Sequence, residues 1–210
     1  RLVLLLVIAL AGPKAVVGGA AAGWLGWLSP AGARRVILVD ASRSMQYEQP
    51  GGTRFEIAAE TARRLIEQLP AAAEILVAGF SRGGAEEQRA FPASFSRDRS
   101  DAIRQLDLLQ PADHPTRVSR ALERAAERLQ SAPDGGIFLL TDVQRSGWED
   151  ILASPEWGQE FGLPLSVIDV GSGRNSNIWI DRVSLPALPP GPGEQTEVRV
   201  SVAAEGFSGD

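Results

Sequence analysis

The chain has 210 residues, 44% of them hydrophobic and 22% charged, with a formal net charge of −5. That composition excludes wholesale disorder, and the lack of a basic footprint excludes a nucleic-acid duplex as partner. There is no cysteine and one histidine, which excludes disulfides, thiolate zinc sites, a cysteine nucleophile and multi-histidine metal centres. A metal, if bound, has to be held by oxygens.

Residues 2–12 (LVLLLVIALAG) are an unbroken apolar run, which Pro13 and Lys14 interrupt before residues 15–28 resume it. A membrane-spanning helix needs about 20 apolar residues, and neither run reaches that length alone. The chain starts at Arg1 and its only methionine is Met45, so a fragment or a processed product is expected. The preferred reading makes 1–33 a truncated spanning segment followed by a Gly/Ala-rich tether. A single helix over 2–28 would place Lys14 at mid-depth, at about 2.5–3.5 kcal/mol on insertion scales. A signal-peptide apolar region is the third reading. Each puts the rest of the chain at or beyond a membrane. Arg1 favours a cytoplasmic start, and therefore an inner-membrane protein whose main domain is extracytoplasmic.

From residue 34 the pattern is alternating. RVILVD (35–40), EILVAGF (74–80), GIFLLT (136–141) and PLSVIDV (164–170) are short, nearly continuous apolar runs and predict buried strands. Between them, helices are predicted over 54–69, with Phe55, Ala59, Ala62, Leu65, Ile66 and Leu69 on its apolar face, over 98–109 and over 117–130. Thr53 and Glu56 fit a capping box, and Pro70 ends the first helix. A weak edge strand is expected over 86–95 and a broken helix carrying Trp148 and Trp157 over 147–161. Strands alternating with helices predict an α/β fold over 34–171, a doubly wound, mostly parallel sheet with helices on both faces. Residues 172–194 then supply an alternating strand (178–185) and the Pro-rich linker PALPPGPGE. Residues 195–210 read as the start of a truncated β-sandwich-type domain.

The first strand runs into D-A-S-R-S, which contains Asp40, Ser42 and Ser44; the third ends L-L-T-D, with Asp142; and Thr116 precedes the clearest helix. Side chains at the carboxyl ends of strands line the crevice where open α/β sheets bind ligands. Two carboxylates and three hydroxyls form a hard-oxygen set suited to Mg²⁺ or Mn²⁺, and less to Ca²⁺, with waters completing six-fold coordination. A free position on the ion would favour a carboxylate from a protein partner. Each residue also has a plain structural alternative: strand-end turns for Asp40 and Asp142, turn hydroxyls for Ser42 and Ser44, and a helix cap for Thr116.

These residues resemble the von Willebrand factor type A (VWA) domain and its metal-ion-dependent adhesion site. The resemblance covers about 34–171 and implies a non-enzymatic interaction module whose ion is held by Asp40, Ser42, Ser44, Thr116 and Asp142. More narrowly, LVDASRSM and LLTDVQRSGW, after an apolar segment ending IALAGP, resemble membrane-anchored bacterial proteins of the aerotolerance-regulator (Bat-type) group. That likeness implies a role in envelope assembly or stress tolerance, alongside a MoxR-type ATPase. Two positions depart from the family pattern. His114-Pro115 stands where a Gly usually precedes the Thr, and Val143 stands where a Gly often follows the Asp.

Two rival readings fit the sequence less well. Gly79-Phe80-Ser81-Arg82-Gly83 matches the G-x-S-x-G elbow of serine hydrolases, but the chain reaches Pro92 without a helical run. The only histidine, His114, follows Ser81 with no strong strand between. The phosphate-loop pattern G-x-x-x-x-G-K-S/T and the dinucleotide pattern G-x-G-x-x-G after the first strand are both absent. A metal-independent scaffold of the same fold is the remaining alternative.

Overall fold

The computed structural model describes residues 33–81, 91–92, 94–132, 134–154, 162–171, 177–184 and 198–205. Strand β1 (Arg34–Asp40) leads into a 3₁₀ turn (Arg43–Gln46) and a small hairpin of β2 (Glu48–Gln49) and β3 (Gly52–Thr53). Helix α1 (Arg54–Gln68), β4 (Glu74–Phe80), α2 (Arg99–Asp107), α3 (Val118–Leu129) and β5 (Gly136–Thr141) follow. A 3₁₀ turn (Arg145–Gly147), the short α4 (Glu149–Leu152) and β6 (Leu165–Asp169) complete the first unit, which ends at Gly171. The main sheet is parallel throughout, in the order β4–β1–β5–β6, with Val36 level with Leu76 on one side and Ile137 on the other. The fold is the doubly wound α/β architecture that the alternating pattern predicts.

The strands are apolar on both faces because both faces are covered. Val36, Leu38, Leu76, Ala78, Ile137, Leu139, Leu165 and Val167 point to one side, where α3 packs through Val118, Ala121, Leu122, Ala125 and Leu129. Ile37, Val39, Ile75, Val77, Phe138, Leu140 and Ile168 point to the other, against α1 and α2. Successive strand residues alternate between two cores, so neither face tolerates a polar stripe.

Helix α1 begins with the expected capping box. Thr53 Oγ1 accepts from Glu56 N at 3.2 Å, and Glu56 Oε2 accepts from Thr53 N at 2.8 Å. The buried stripe of α1 is rotated from the predicted one. Arg54, Ala58, Ala62 and Ile66, four residues apart, are buried, whereas Phe55, Ala59 and Leu65 flank the core half-buried. The two alanines in the middle of this row, Ala58 and Ala62, leave room for the helix to pack closely on the sheet. Helix α2 is capped by Asp98, whose carboxylate accepts from Ser100 N at 2.8 Å.

Three expectations are met differently or lie elsewhere. Most of the proposed edge strand over 86–95 lies outside the described residues; what is described nearby is an isolated antiparallel bridge between Ile75 and Ser96. The broken helix over 147–161 is a 3₁₀ turn plus one turn of α4, and residues 155–161, Trp157 among them, lie outside the described residues. The membrane reading of 1–33 falls outside them too, apart from Ala33; among the described residues no helix is long and apolar enough to cross a membrane. The second unit, after Gly171, holds an antiparallel pair, β7 (Asn177–Ser184) and β8 (Arg199–Glu205), with a register irregularity between Ile180 and Arg182.

Candidate functional site

Because β1 lies between β4 and β5, strand order reverses across it, and its carboxyl end opens into the crevice where such sheets place ligands. Asp40 closes β1 there and is fully buried. Its Oδ1 accepts from Ser42 N at 2.9 Å, and its Oδ2 accepts from Thr141 Oγ1 at 2.7 Å. Burial outweighs these hydrogen bonds and pushes the carboxyl up to about 6, with the neighbouring charge of Asp142 acting in the same direction. The 3₁₀ turn that follows is pinned by the buried Met45 and brings the hydroxyls of Ser42 and Ser44 to 3.1 Å from each other.

The segment leading to Thr116 is stitched to this loop through backbone. Ala112 N donates to Ala41 O at 2.7 Å, and Arg43 N donates to His114 O at 3.0 Å. His114 itself is exposed, and its structural contribution is that carbonyl. The Arg43 guanidinium lies 3.6 Å from Asp113 at the surface. Thr116 is not the cap of its helix: Arg117 takes the N-cap position of α3 without a side-chain cap bond. The Thr116 hydroxyl is buried with no hydrogen-bond partner among the described residues. Its methyl presses on Gly147, where a Cβ would sit 2.1 Å from Thr116 Cγ2. Gly147, in the loop that follows β5, therefore leaves room for the Thr116 methyl.

Asp142 stands one residue beyond β5. Its Oδ2 accepts from Arg54 Nη1 at 2.6 Å, and its Oδ1 is buried without a partner among the described residues. Val143, next in sequence, has φ of +51°, in the left-handed region that a branched side chain resists. That strain explains why a glycine is the expected residue there.

Contacts join Asp40, Ser42, Ser44 and Asp142, and Thr116 adjoins them through backbone. Asp40, Ser42 and Ser44 share the β1 loop, Asp142 adjoins Thr141, which holds Asp40, and the segment before Thr116 bonds to that loop through Arg43 and His114, while the Thr116 methyl abuts Gly147.

Sequence reasoning missed three residues. Thr141, buried and bonded to Asp40, hides inside an apolar strand, and the only signal was its place beside Asp142. Arg54 is almost wholly buried, pairs with Asp142, comes within 3.4 Å of the Ser44 carbonyl and lies 4.6 Å over the Tyr47 ring. A basic residue at the first position of a helix opposes the helix dipole, which was the available signal. Asp169 ends β6; burial raises its carboxyl, the Gly171 N–H bond opposes that, and the charges of Asp142 and Arg54 act on it in opposite senses.

Among the described residues no three His, Cys, Asp or Glu side chains form a metal-ligating group, so an ion here depends on hydroxyls. Two buried oxygens without partners, on Thr116 and Asp142, are the feature that fits such an ion, since orphaned buried polar atoms each cost about 1–3 kcal/mol and ordinarily meet a water or an ion. Ser81, the hydrolase candidate, follows β4 directly, and residues 82–90 lie outside the described residues.

A parallel sheet covered on both faces, with hydroxyls and carboxylates at the carboxyl end of its central strand, is a doubly wound α/β domain with a polar crevice at its switch point. The chain belongs to the von Willebrand factor type A domain family, whose pattern matches residues 35–145. Domains of this family generally mediate protein–protein interaction. Among solved structures, a von Willebrand factor type A protein from Catenulispora acidiphila is similar at 20% identity and a TM-score of 0.43, over 65% of this chain and 38% of that one. The RO (RSR) protein of Deinococcus radiodurans is similar at 17% identity and a TM-score of 0.36, over 67% of this chain and 27% of that one. This chain thus spans well under half the length of either structure. No curated protein matches it.

Proposed function

We propose that this domain binds a protein partner through a divalent cation held by Asp40, Ser42, Ser44, Thr116 and Asp142. The observations that carry the reading are two buried oxygens without partners among the described residues, Thr116 Oγ1 and Asp142 Oδ1, and the Ser42–Ser44 hydroxyl pair at the end of β1. Mg²⁺ or Mn²⁺ suits this donor set of neutral hydroxyls and few carboxylates. The hydroxyls leave the ion's charge incompletely neutralised, so an acidic side chain of the partner completes the shell. The domain works by binding, without catalytic chemistry of its own.

The apolar N-terminal segment supports a membrane anchor, with the domain extracytoplasmic at an inner membrane. The likeness of LVDASRSM and LLTDVQRSGW to Bat-type proteins supports a role in envelope assembly or stress tolerance beside a MoxR-type ATPase. Isothermal titration of the wild type with Mg²⁺ and with Mn²⁺ should show saturable heats that Asp40→Ala abolishes. Identical heats for both proteins would count against the site.

One observation favours a second reading. Arg54 already places a cation on Asp142, so the same crevice is held together without metal. On that reading the domain is a metal-independent scaffold, and EDTA leaves partner binding untouched.

A further inference from the structure

The crevice contains a fixed positive charge of its own. Arg54 begins α1, where the dipole disfavours a cation, yet its side chain is only 2% exposed. It is retained by groups of the crevice: Asp142 Oδ2 at 2.6 Å, the Ser44 carbonyl at 3.4 Å and the face of Tyr47 at 4.6 Å. The guanidinium engages one oxygen of Asp142 and leaves the other buried, with no partner among the described residues. One carboxylate is thus divided, with a permanent cation on one oxygen and a free acceptor on the other.

We propose that Arg54 is a resident counter-cation that shares Asp142 with the bound dication and raises the dication concentration needed to load the site. This rests on the metal-site reading given above. A dication on Asp142 Oδ1 and a guanidinium on Oδ2 are like charges across a single carboxylate. In a buried setting their repulsion is screened far less than in water. Before loading, the same guanidinium pairs with Asp142 and orients it at a depth where a lone charge would be costly. Asp169, close enough for both Asp142 and Arg54 to act on its charge, is the second anionic neighbour of the guanidinium when the ion draws on Asp142. Arg54 is a positioning residue, acting on the ion through Asp142.

The test compares wild type, Arg54→Met and Arg54→Lys by titration with Mg²⁺ and by melting in EDTA and in saturating Mg²⁺. Arg54→Met keeps the buried length of the side chain without its charge. It should melt lower than wild type in EDTA, recover more of its melting temperature on adding Mg²⁺, and bind Mg²⁺ about tenfold or more tighter. Arg54→Lys keeps the charge and should bind within about threefold of wild type. Mg²⁺ binding by Arg54→Met equal to or weaker than wild type overturns the proposal and leaves the metal site standing. Absence of binding in all three proteins overturns both.

If Arg54→Met folds only with Mg²⁺, that supports the proposal. If it folds under neither condition, wild type labelled with ¹⁵N-arginine decides. The guanidinium resonance of Arg54, identified by its loss in Arg54→Lys, should shift as Mg²⁺ saturates the protein. A resonance that stays fixed while titration heats show the ion bound would overturn the proposal.

Discussion

Gly147 leaves no room for a side chain beside Thr116, and this can be tested by a cycle of two substitutions. Alanine at 147 puts a methyl carbon 2.1 Å from Thr116 Cγ2, 3.5 Å from Thr116 Cβ and 3.7 Å from Val118 Cγ2. Carbon atoms rest about 3.5–4.0 Å apart, so one side has to yield by about 1.5 Å. The backbone at 147 is held by its own turn, with Gly147 N bonded to Gln144 O at 3.0 Å. Thr116 therefore yields, and rotating its methyl away swings the buried hydroxyl out of place. Overpacking of this kind costs about 1–3 kcal/mol. Thr116→Ser removes the offending methyl, keeps the hydroxyl and costs about 1 kcal/mol in lost burial.

In the double variant the new alanine methyl occupies the vacated space. Gly147→Ala should lose about 1–3 kcal/mol in urea unfolding, and the double variant should lose less than Gly147→Ala alone, a coupling of about 1 kcal/mol or more. For a unit of this size each kcal/mol moves the melting temperature by about 2–4 °C, well within calorimetric precision. Losses that simply add in the double variant would refute the argument that Gly147 exists to admit the Thr116 methyl.

Two further predictions concern the crevice rim and its acid. Val143→Gly relieves a left-handed backbone that costs a branched residue about 1–2 kcal/mol, against about 0.5–1 kcal/mol for glycine's extra freedom when unfolded; a small rise in melting temperature is expected, and a fall would contradict it. The Asp40 carboxyl titrates near 6 when folded, mainly through burial, and at its ordinary 3.8 when unfolded. Between those values the folded protein binds more protons, so the Asp40 contribution to stability falls as pH rises through that window, by about 3 kcal/mol in total. In EDTA, Asp40→Asn should therefore gain on wild type between about pH 4 and pH 7, and a stability difference that stays constant with pH would defeat the prediction.

Much of the domain was readable from residue order alone, for reasons local to the chain. Four runs of branched apolar residues have no polar face, which only a sheet covered on both sides accommodates. The Thr53–Glu56 capping box lies within one turn of backbone, so spacing suffices to find it. That Asp40, Ser42, Ser44 and Asp142 fall at the carboxyl ends of β1 and β5 was legible because the apolar runs stop there, and parallel strands bring such ends to one edge.

What only the tertiary structure decided are relations between distant residues whose side chains break local rules. Arg54 reads as a solvated cation on a helix. It is buried because Asp142, 88 residues away, meets it through the sheet. The rotation of α1 onto Arg54, Ala58, Ala62 and Ile66 depends on how closely the helix approaches the strands, which no periodicity within the helix specifies. Likewise, a helix cap is the local alternative for Thr116, yet Arg117 takes that position and the Thr116 hydroxyl is buried. Local propensity is set by the backbone within a turn or two, whereas burial of a charge or a hydroxyl is set by what the opposite side of the fold brings to meet it.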